Sequence, residues 1–263
     1  MQNLHKTRAQ EQIEQEILVQ NTNIVFGLHA VKALLNSAPK RVKQLQLLKG
    51  RQDKSLQGIV ALAEMYGVPI GYADRRILDD AADGNHQGVI AHCSAPESLR
   101  EEDLYTMLDK LDEPPFLLIL DGVTDPHNLG ACIRSAEAAG VHAVVAPKDK
   151  AVGLNATARK VACGAAEVLP FVAVTNLARC LKKLQEKGVW LVGAAGEAEQ
   201  SIYQVDLKGP LGLVMGAEGA GMRRLTREHC DNLINIPMAG TVSSLNVSVA
   251  SGVCLFEAVR QRS

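Results

Sequence analysis

From residue 116 onward, short apolar runs alternate with longer stretches of helical spacing. That alternation constrains the fold more than any other feature of the chain. FLLILDGV reads as a strand, NLGACIRSAEAAG as a helix, VHAVVAP as a strand and NATARKVACGAA as a helix. VLPFVAV and VWLVGAA are strands on either side of the helix NLARCLKKLQEKG. LGLVMG and LINIPM are two more, and SLNVSVASGVCLFEAVRQR closes the chain as a helix. Such an order packs as a parallel sheet flanked by helices, because neighbouring parallel strands need a long crossover. Aromatic residues make up only 3%, so Val, Leu, Ile and Ala must fill the core, as they do in sheets covered on both faces.

The part ahead of this region is organised separately. Residues 1–21 are rich in Gln and Glu, with little apolar periodicity after Leu4, and are expected to form a mobile extension. A compact pattern begins at NIVFGLHAVKALLNS, where Leu28, Val31, Leu34 and Leu35 share a helical face. VKQLQLLKG alternates as a half-buried strand does, LQGIVALAEMYGVPI is a helix ended by Gly67 and Pro69, and QGVIAHCSA is a strand. The chain then turns acidic and polar and ends that stretch in LDEPPF, a linker signal. The expected organisation is an extension (1–21), a small α/β domain (22–94), a linker (95–113) and a larger α/β domain (114–263).

Charge and cysteine usage narrow the function. A formal net charge of −1 argues against a protein held to nucleic acid by bulk charge, although a local basic patch is compatible with it. The six cysteines lie far apart, no CxxC pair or HExxH helix occurs, and no metal site is expected. The first residues are too polar for a signal peptide and no apolar run approaches membrane-spanning length, so the expected setting is cytoplasmic, without a membrane partner.

Ligands of open α/β sheets bind beyond the carboxyl ends of the strands, and three loops follow strand ends here, after Val123, Met215 and Ile236. In the first, Asn128 fits the N-cap of a helix starting at Leu129. Arg134 stands on an otherwise small and apolar helix, where it needs a partner: Glu137, Glu218 or a group outside the protein. In the second, GAEGAGMRRL, glycines bring backbone amides close to a ligand, and Glu218 is an unexpected carboxylate in a neutral turn. The turn is neither a GxGxxG fingerprint nor a phosphate-binding loop ending in Gly-Lys-Ser/Thr, which argues against a nicotinamide oxidoreductase or a nucleoside triphosphatase. In the third, Ser243 or Ser244 is a candidate N-cap. Asn246, just inside the helix, disfavours it unless its amide has a partner. The helix that follows is apolar on nearly all sides and should be buried, in the core or against another subunit.

Taken together and in order, NxGxxxR (Asn128 to Arg134), GxExxG (Gly216 to Gly221) and SSLNVS (Ser243 to Ser248) resemble the SpoU/TrmH family of RNA ribose 2′-O-methyltransferases, within the SPOUT superfamily. FGLHAVKALL and HQGVIA resemble the substrate-recognition domain, similar to ribosomal protein L30e, of the branch that methylates a guanosine in 23S rRNA. The resemblance runs from about Ile24 to the C-terminus. It implies an L30e-like N-terminal domain and a SPOUT domain whose parallel sheet carries a trefoil knot, a path that base rates oppose. It implies S-adenosylmethionine held by backbone groups of Gly216, Ile236 and Leu245, and a homodimer sharing its site across the interface. Arg134 would engage the phosphate beside the target ribose and polarise the 2′-hydroxyl. Asn128, Glu218, Ser244 and Asn246 would orient the arginine, the ribose and the loops. Arg223, Arg224 and Arg227, with Lys43 of the N-terminal domain, are the expected RNA contacts. A tRNA methyltransferase of the same family and a non-catalytic RNA-binding protein are the alternatives, and the joint presence of the five polar residues argues against a decayed site.

Overall fold

A computed structural model of the chain describes residues 23–51, 53–82, 84–94 and 99–263. The extension expected at 1–21 lies outside them. The chain divides after Glu97 into two compact units, each with its own core.

The first unit is built from β1 (Asn23–Phe26), α1 (Leu28–Ser37), β2 (Val42–Leu48), α2 (Lys54–Met65), β3 (Ile70–Ala73), α3 (Arg75–Ala81) and β4 (Val89–Cys93). Its sheet runs β1-β4-β2-β3, with β4 antiparallel to both neighbours and β3 parallel to β2. Val31, Leu34 and Leu35 of α1 are buried against Leu45 and Leu47 of β2. Asp53 caps α2 by accepting from the Ser55 and Leu56 amides, and Gly67 ends it at a φ of 66°. The two motifs of this unit turn out to be one contact. Gln87, at a φ of 48°, accepts the first amide of α1, from Leu28, on its side-chain oxygen at 3.0 Å. His86 is buried, accepting the Gly88 amide on Nδ1, and so holds its proton on Nε2, 2.9 Å from Asp79. The HQG turn therefore ties α1 and α3 to the start of β4.

The second unit opens with a correction. Residues 101–108 are not linker but a helix, α4 (Glu101–Leu108), whose Leu104, Tyr105 and Leu108 are buried against Leu117 and Leu181. The acidic run misleads because Glu101, Glu102 and Asp103 all occupy the first turn, where free amides favour carboxylates. Beyond it come β5 (Phe116–Asp121), α5 (Pro126–Ala138), β6 (Ala143–Pro147), α6 (Ala156–Val161), α7 (Ala165–Val168), β7 (Phe171–Val174), α8 (Leu177–Glu186), β8 (Trp190–Ala194), β9 (Gln200–Ser201), β10 (Leu211–Gly216), α9 (Arg224–Glu228), β11 (Asn232–Asn235) and α10 (Val247–Arg262). All seven strands are parallel, in the order β7-β6-β5-β10-β8-β11-β9. The segment expected as one helix, NATARKVACGAA, breaks at Cys163 and Gly164, which take φ values of 52° and 95°.

Helices α5 and α10 pack together on one face of this sheet, where Leu129, Cys132, Ile133 and Ala136 meet Cys254, Leu255 and Ala258. Small residues permit the approach. A Cβ at Gly130 would stand 2.5 Å from the Ala158 carbonyl oxygen, so α5 and α6 touch backbone to backbone. The closing helix is buried on one side only, with Val249 and Phe256 about half exposed. Its end is anchored by Arg262, which lies over the Phe116 ring and donates to the Leu207 and Pro115 carbonyls.

Candidate active site

The chain builds β5, β6 and β7 outward in one direction, then places β8 on the other side and inserts β10 between β5 and β8. Strand ends diverge where that order reverses, which is where open α/β sheets leave a crevice. A cleft of about 1040 Å³ opens there, lined by the segments that follow β8, β10 and β11. Its size is at the upper end of small-molecule sites, about 300–1,000 Å³.

The predicted cofactor positions Gly216, Ile236 and Leu245 all line this cleft, as do Glu218, Ser244 and Asn246. The turn after β10 closes on itself through reciprocal Ala217–Gly221 backbone hydrogen bonds of 3.0 and 2.9 Å. Gly219 and Gly221 take φ values of 74° and 66° to make it. A Cβ on Gly216 would fall 2.2 Å from the Gly221 carbonyl carbon and 2.3 Å from the Met222 nitrogen. The space beside Gly216 is thus filled by the returning loop, not left open for a ligand.

Two capping assignments differ from the sequence reading. Helix α5 begins at Pro126, not Leu129, and Asp125 is its N-cap, accepting the His127 amide at 2.9 Å. Proline at the first helical position loses only an amide that had no partner, so the helix can start one turn early. Asn128 is thereby released from capping. In the third loop the N-cap is Asn246 itself, and neither Ser243 nor Ser244 has that role. Its Oδ1 accepts from the Ser248 amide and hydroxyl at 2.9 and 2.6 Å, which directs its Nδ2 outward.

These two releases build one polar group. Asn246 Nδ2 donates to Asn128 Oδ1 at 2.9 Å and to Glu218 Oε1. Asn128 Nδ2 donates to the same Glu218 oxygen at 3.3 Å, and the Val247 amide does so at 3.2 Å. Glu218 therefore faces the N-terminus of α10, not that of α9, and bridges all three loops. Asn246→Ala would remove both a cap and two links of this group. The cap alone is worth about 1 kcal/mol, or about 2–4 °C in Tm for a domain of this size. Differential scanning fluorimetry should show that drop.

Arg134 stands apart. It is exposed on this chain, contrary to the buried setting its apolar neighbours suggest, and its Nη1 donates to Cys163 Sγ at 3.4 Å. Neither Glu137 nor Glu218 pairs with it, and it does not line the cleft. Six residues at about 100° each turn Arg134 roughly 120° away from Asn128 around α5.

The expected RNA contacts divide. Arg223 is exposed but tied to the sheet at its base, its backbone amide donating to the buried carboxylate of Asp121. Arg224 pairs with Glu228 one turn on, and Arg227 with Glu197 at the rim of the cleft, both at the surface. Lys43 is exposed on β2. The sequence reading missed Asp121, which no motif residue marks, and Asp125. The latter was legible as an Asp-Pro helix start. Among the described residues no cluster of three or more His, Cys, Asp or Glu could hold a metal ion, and no helix is long and apolar enough to cross a membrane.

Comparison with known proteins follows this division of the chain. The model of the SpoU rRNA Methylase family matches residues 115–256, and that of RNA 2′-O ribose methyltransferase substrate binding matches residues 24–99. The chain is 63% identical over 238 residues to the 23S rRNA (guanosine-2′-O-)-methyltransferase RlmB of Pseudomonas aeruginosa, spanning 90% of this chain and 96% of that protein. It is 60% identical over 243 residues to the protein of that name from Escherichia coli K12, spanning 92% and 100%. The SpoU methyltransferase AviRb from Streptomyces viridochromogenes, crystallised in complex with the cofactor AdoMet, has the same fold. It superposes with a TM-score of 0.73 at 24% identity, over 97% of this chain and 94% of that one. By its strand order, its three motif loops and these matches, the chain belongs to the SpoU rRNA methylase family.

Proposed function

We propose that the protein methylates the ribose 2′-oxygen of a guanosine in 23S rRNA, using S-adenosylmethionine. The observation that carries this reading is the meeting of Asn128, in the first turn of α5, with Glu218 and Asn246, which line one cleft at the sheet's switch point. The activity of the relatives at 60–63% identity, methylation of a guanosine 2′-oxygen in 23S rRNA, supplies the substrate.

The cleft fits the cofactor in size and in the chemistry of its walls. Backbone groups at Gly216, Ile236 and Leu245 would hold it, with Met215, Ile234 and Val247 as apolar walls. S-adenosylmethionine supplies a methyl group already activated on a sulfonium. What remains for the protein is to align the attacking hydroxyl and ease removal of its proton. Arg134 is no general base, because a guanidinium presents only N–H donors and no atom free to accept a proton. It holds the phosphate beside the target ribose and polarises the 2′-hydroxyl, easing the loss of its proton. Asn128, Glu218, Asn246 and Ser244 fix the loops around the ribose.

The reading includes a homodimer. Arg134 lies outside the cleft of its own chain, and Val249 and Phe256 leave part of α10 apolar and exposed. A second copy on that face would cover them and let one chain's arginine serve the other's cleft. Phe256→Asp should shift the dimer to monomer in sedimentation equilibrium and abolish transfer without unfolding the chain. A Phe256→Asp dimer as tight as wild type would contradict it. The trefoil knot that the resemblance implies belongs to the same proposal, and β10 lying between β5 and β8 is compatible with it.

The substrate is tested by offering labelled S-adenosylmethionine with 23S rRNA, and separately tRNA, from cells lacking the protein. Label entering 23S rRNA alone is expected. Label in tRNA alone would replace the substrate while keeping the chemistry, and RNA bound equally with or without cofactor, with no transfer, would make the protein a binding module.

A further inference from the structure

One buried carboxylate beside the cleft belongs to none of the three motif contacts. Asp121 ends β5, is 1% exposed, and pairs in register with Gly216, the last residue of β10. Its Oδ2 accepts the Arg223 backbone amide at 2.7 Å. Its Oδ1 has no hydrogen-bond partner and faces Arg223 Nε at 3.5 Å. The same guanidinium donates through Nη2 to the carbonyls of Asp149 and Lys150, at 3.2 and 3.3 Å. Lys150 is itself held at a φ of 56°, a conformation that side chains other than glycine rarely adopt.

A carboxylate withdrawn from water is costly unless a charge and hydrogen bonds compensate it, so its place needs a reason. The reason is the loop. Residues 217–222 leave the sheet at Gly216, whose strand partner is Asp121, and end at Arg223, whose amide Asp121 holds. One residue of β5 thus meets both ends of the loop that carries Glu218 and lines the cleft with Gly221 and Met222, its backbone beside Gly216 and its side chain on Arg223.

We propose that Asp121 and Arg223 form a clasp that sets this loop in its cofactor-binding geometry, making both of them positioning residues for S-adenosylmethionine and removing Arg223 from the RNA contacts. The inference rests on the cofactor assignment above. Arg223→Ala deletes the guanidinium but keeps the backbone amide. Asp121→Asn keeps an oxygen for that amide but turns an NH2 group toward the guanidinium.

The test uses the full-length protein as wild type, Arg223→Ala, Asp121→Asn and the double variant. It combines calorimetric titration with S-adenosylmethionine, methyl-transfer kinetics and hydrogen exchange of the loop amides. Arg223→Ala should weaken cofactor binding by about tenfold or more. The KM for S-adenosylmethionine should rise in step, kcat at saturation should fall less than about threefold, and amides 217–222 should exchange faster. Because the two side chains act as one device, the double variant should be no worse than Arg223→Ala alone. Unchanged cofactor affinity and unchanged loop exchange in Arg223→Ala would overturn the clasp. So would a rise confined to the KM for RNA, which would return Arg223 to the RNA surface. If Arg223→Ala does not fold, Asp121→Asn and Arg223→Lys carry the same comparison. Wild type failing to bind S-adenosylmethionine would instead overturn the cofactor assignment, while the exchange data still judge the clasp.

Discussion

Arg134→Ala should retain cofactor affinity and the dimer while lowering kcat for methyl transfer by about 10²–10³-fold. That is the range for deleting one preorganised group that stabilises charge in a transition state. The expectation follows from where the side chain stands. Arg134 is exposed, has no carboxylate partner among the described residues, and does not line the cleft, so its loss removes nothing the cofactor touches. Its contact with Cys163 Sγ is too weak to be the reason a guanidinium sits on this helix. Arg134→Lys should recover only part of the rate, because an ammonium cannot present two parallel donors to a phosphate. Single-turnover kinetics with saturating cofactor separate this from binding. Near-wild-type turnover in Arg134→Ala would remove the residue from the mechanism.

Gly216→Val is expected to reduce S-adenosylmethionine binding by more than about 100-fold and to lower Tm as well. The Cβ alone would overlap the Gly221–Met222 backbone, and two further methyl groups have nowhere to go. Backbone cannot rotate aside as a flexible side chain can, so the loop must leave its place at the end of β10. Overpacking of a fitted site costs about 1–3 kcal/mol, occasionally more. A loop so displaced would carry Glu218 away from Asn128 and Asn246, breaking the polar group as well as the cleft wall. Calorimetry and a thermal melt on the same preparation check both halves. A variant that binds cofactor normally would show that the 217–221 turn is not part of the cofactor site.

Much of this architecture was legible because it is written in apolar periodicity. Every core strand of the large sheet except the two-residue β9 was readable, and so were the amphipathic helices α1, α2 and α8. What escaped has physical causes. Helix α3 (RRILDDA) buries only Leu78, so no repeat marks it, and β1 and β3 are four residues long. Helix α4 hid behind carboxylates that cap its first turn. The site residues were found by motif and resemblance, but their contacts could not be. That Asn128 is free to meet Glu218 depends on Asp125 taking the cap, and a spacing argument that starts the helix at Leu129 assigns Asn128 the wrong task. The buried look of Arg134 came from the apolar residues around it in sequence, whereas the helix turns it outward. Asp121 was invisible for the opposite reason, since its partners lie about 100 residues away and nothing local distinguishes it from the end of any strand.

The most direct test of the central claim is the chemical position of the transferred methyl. Labelled 23S rRNA, methylated by the wild-type protein, is digested with alkali, which cleaves RNA through the 2′-oxygen and therefore skips a ribose methylated there. A single alkali-resistant dinucleotide carrying the label on guanosine is the predicted result. Label released as an ordinary mononucleotide would place the methyl on a base and contradict the ribose chemistry assigned to Arg134 and the Asn128–Glu218–Asn246 group.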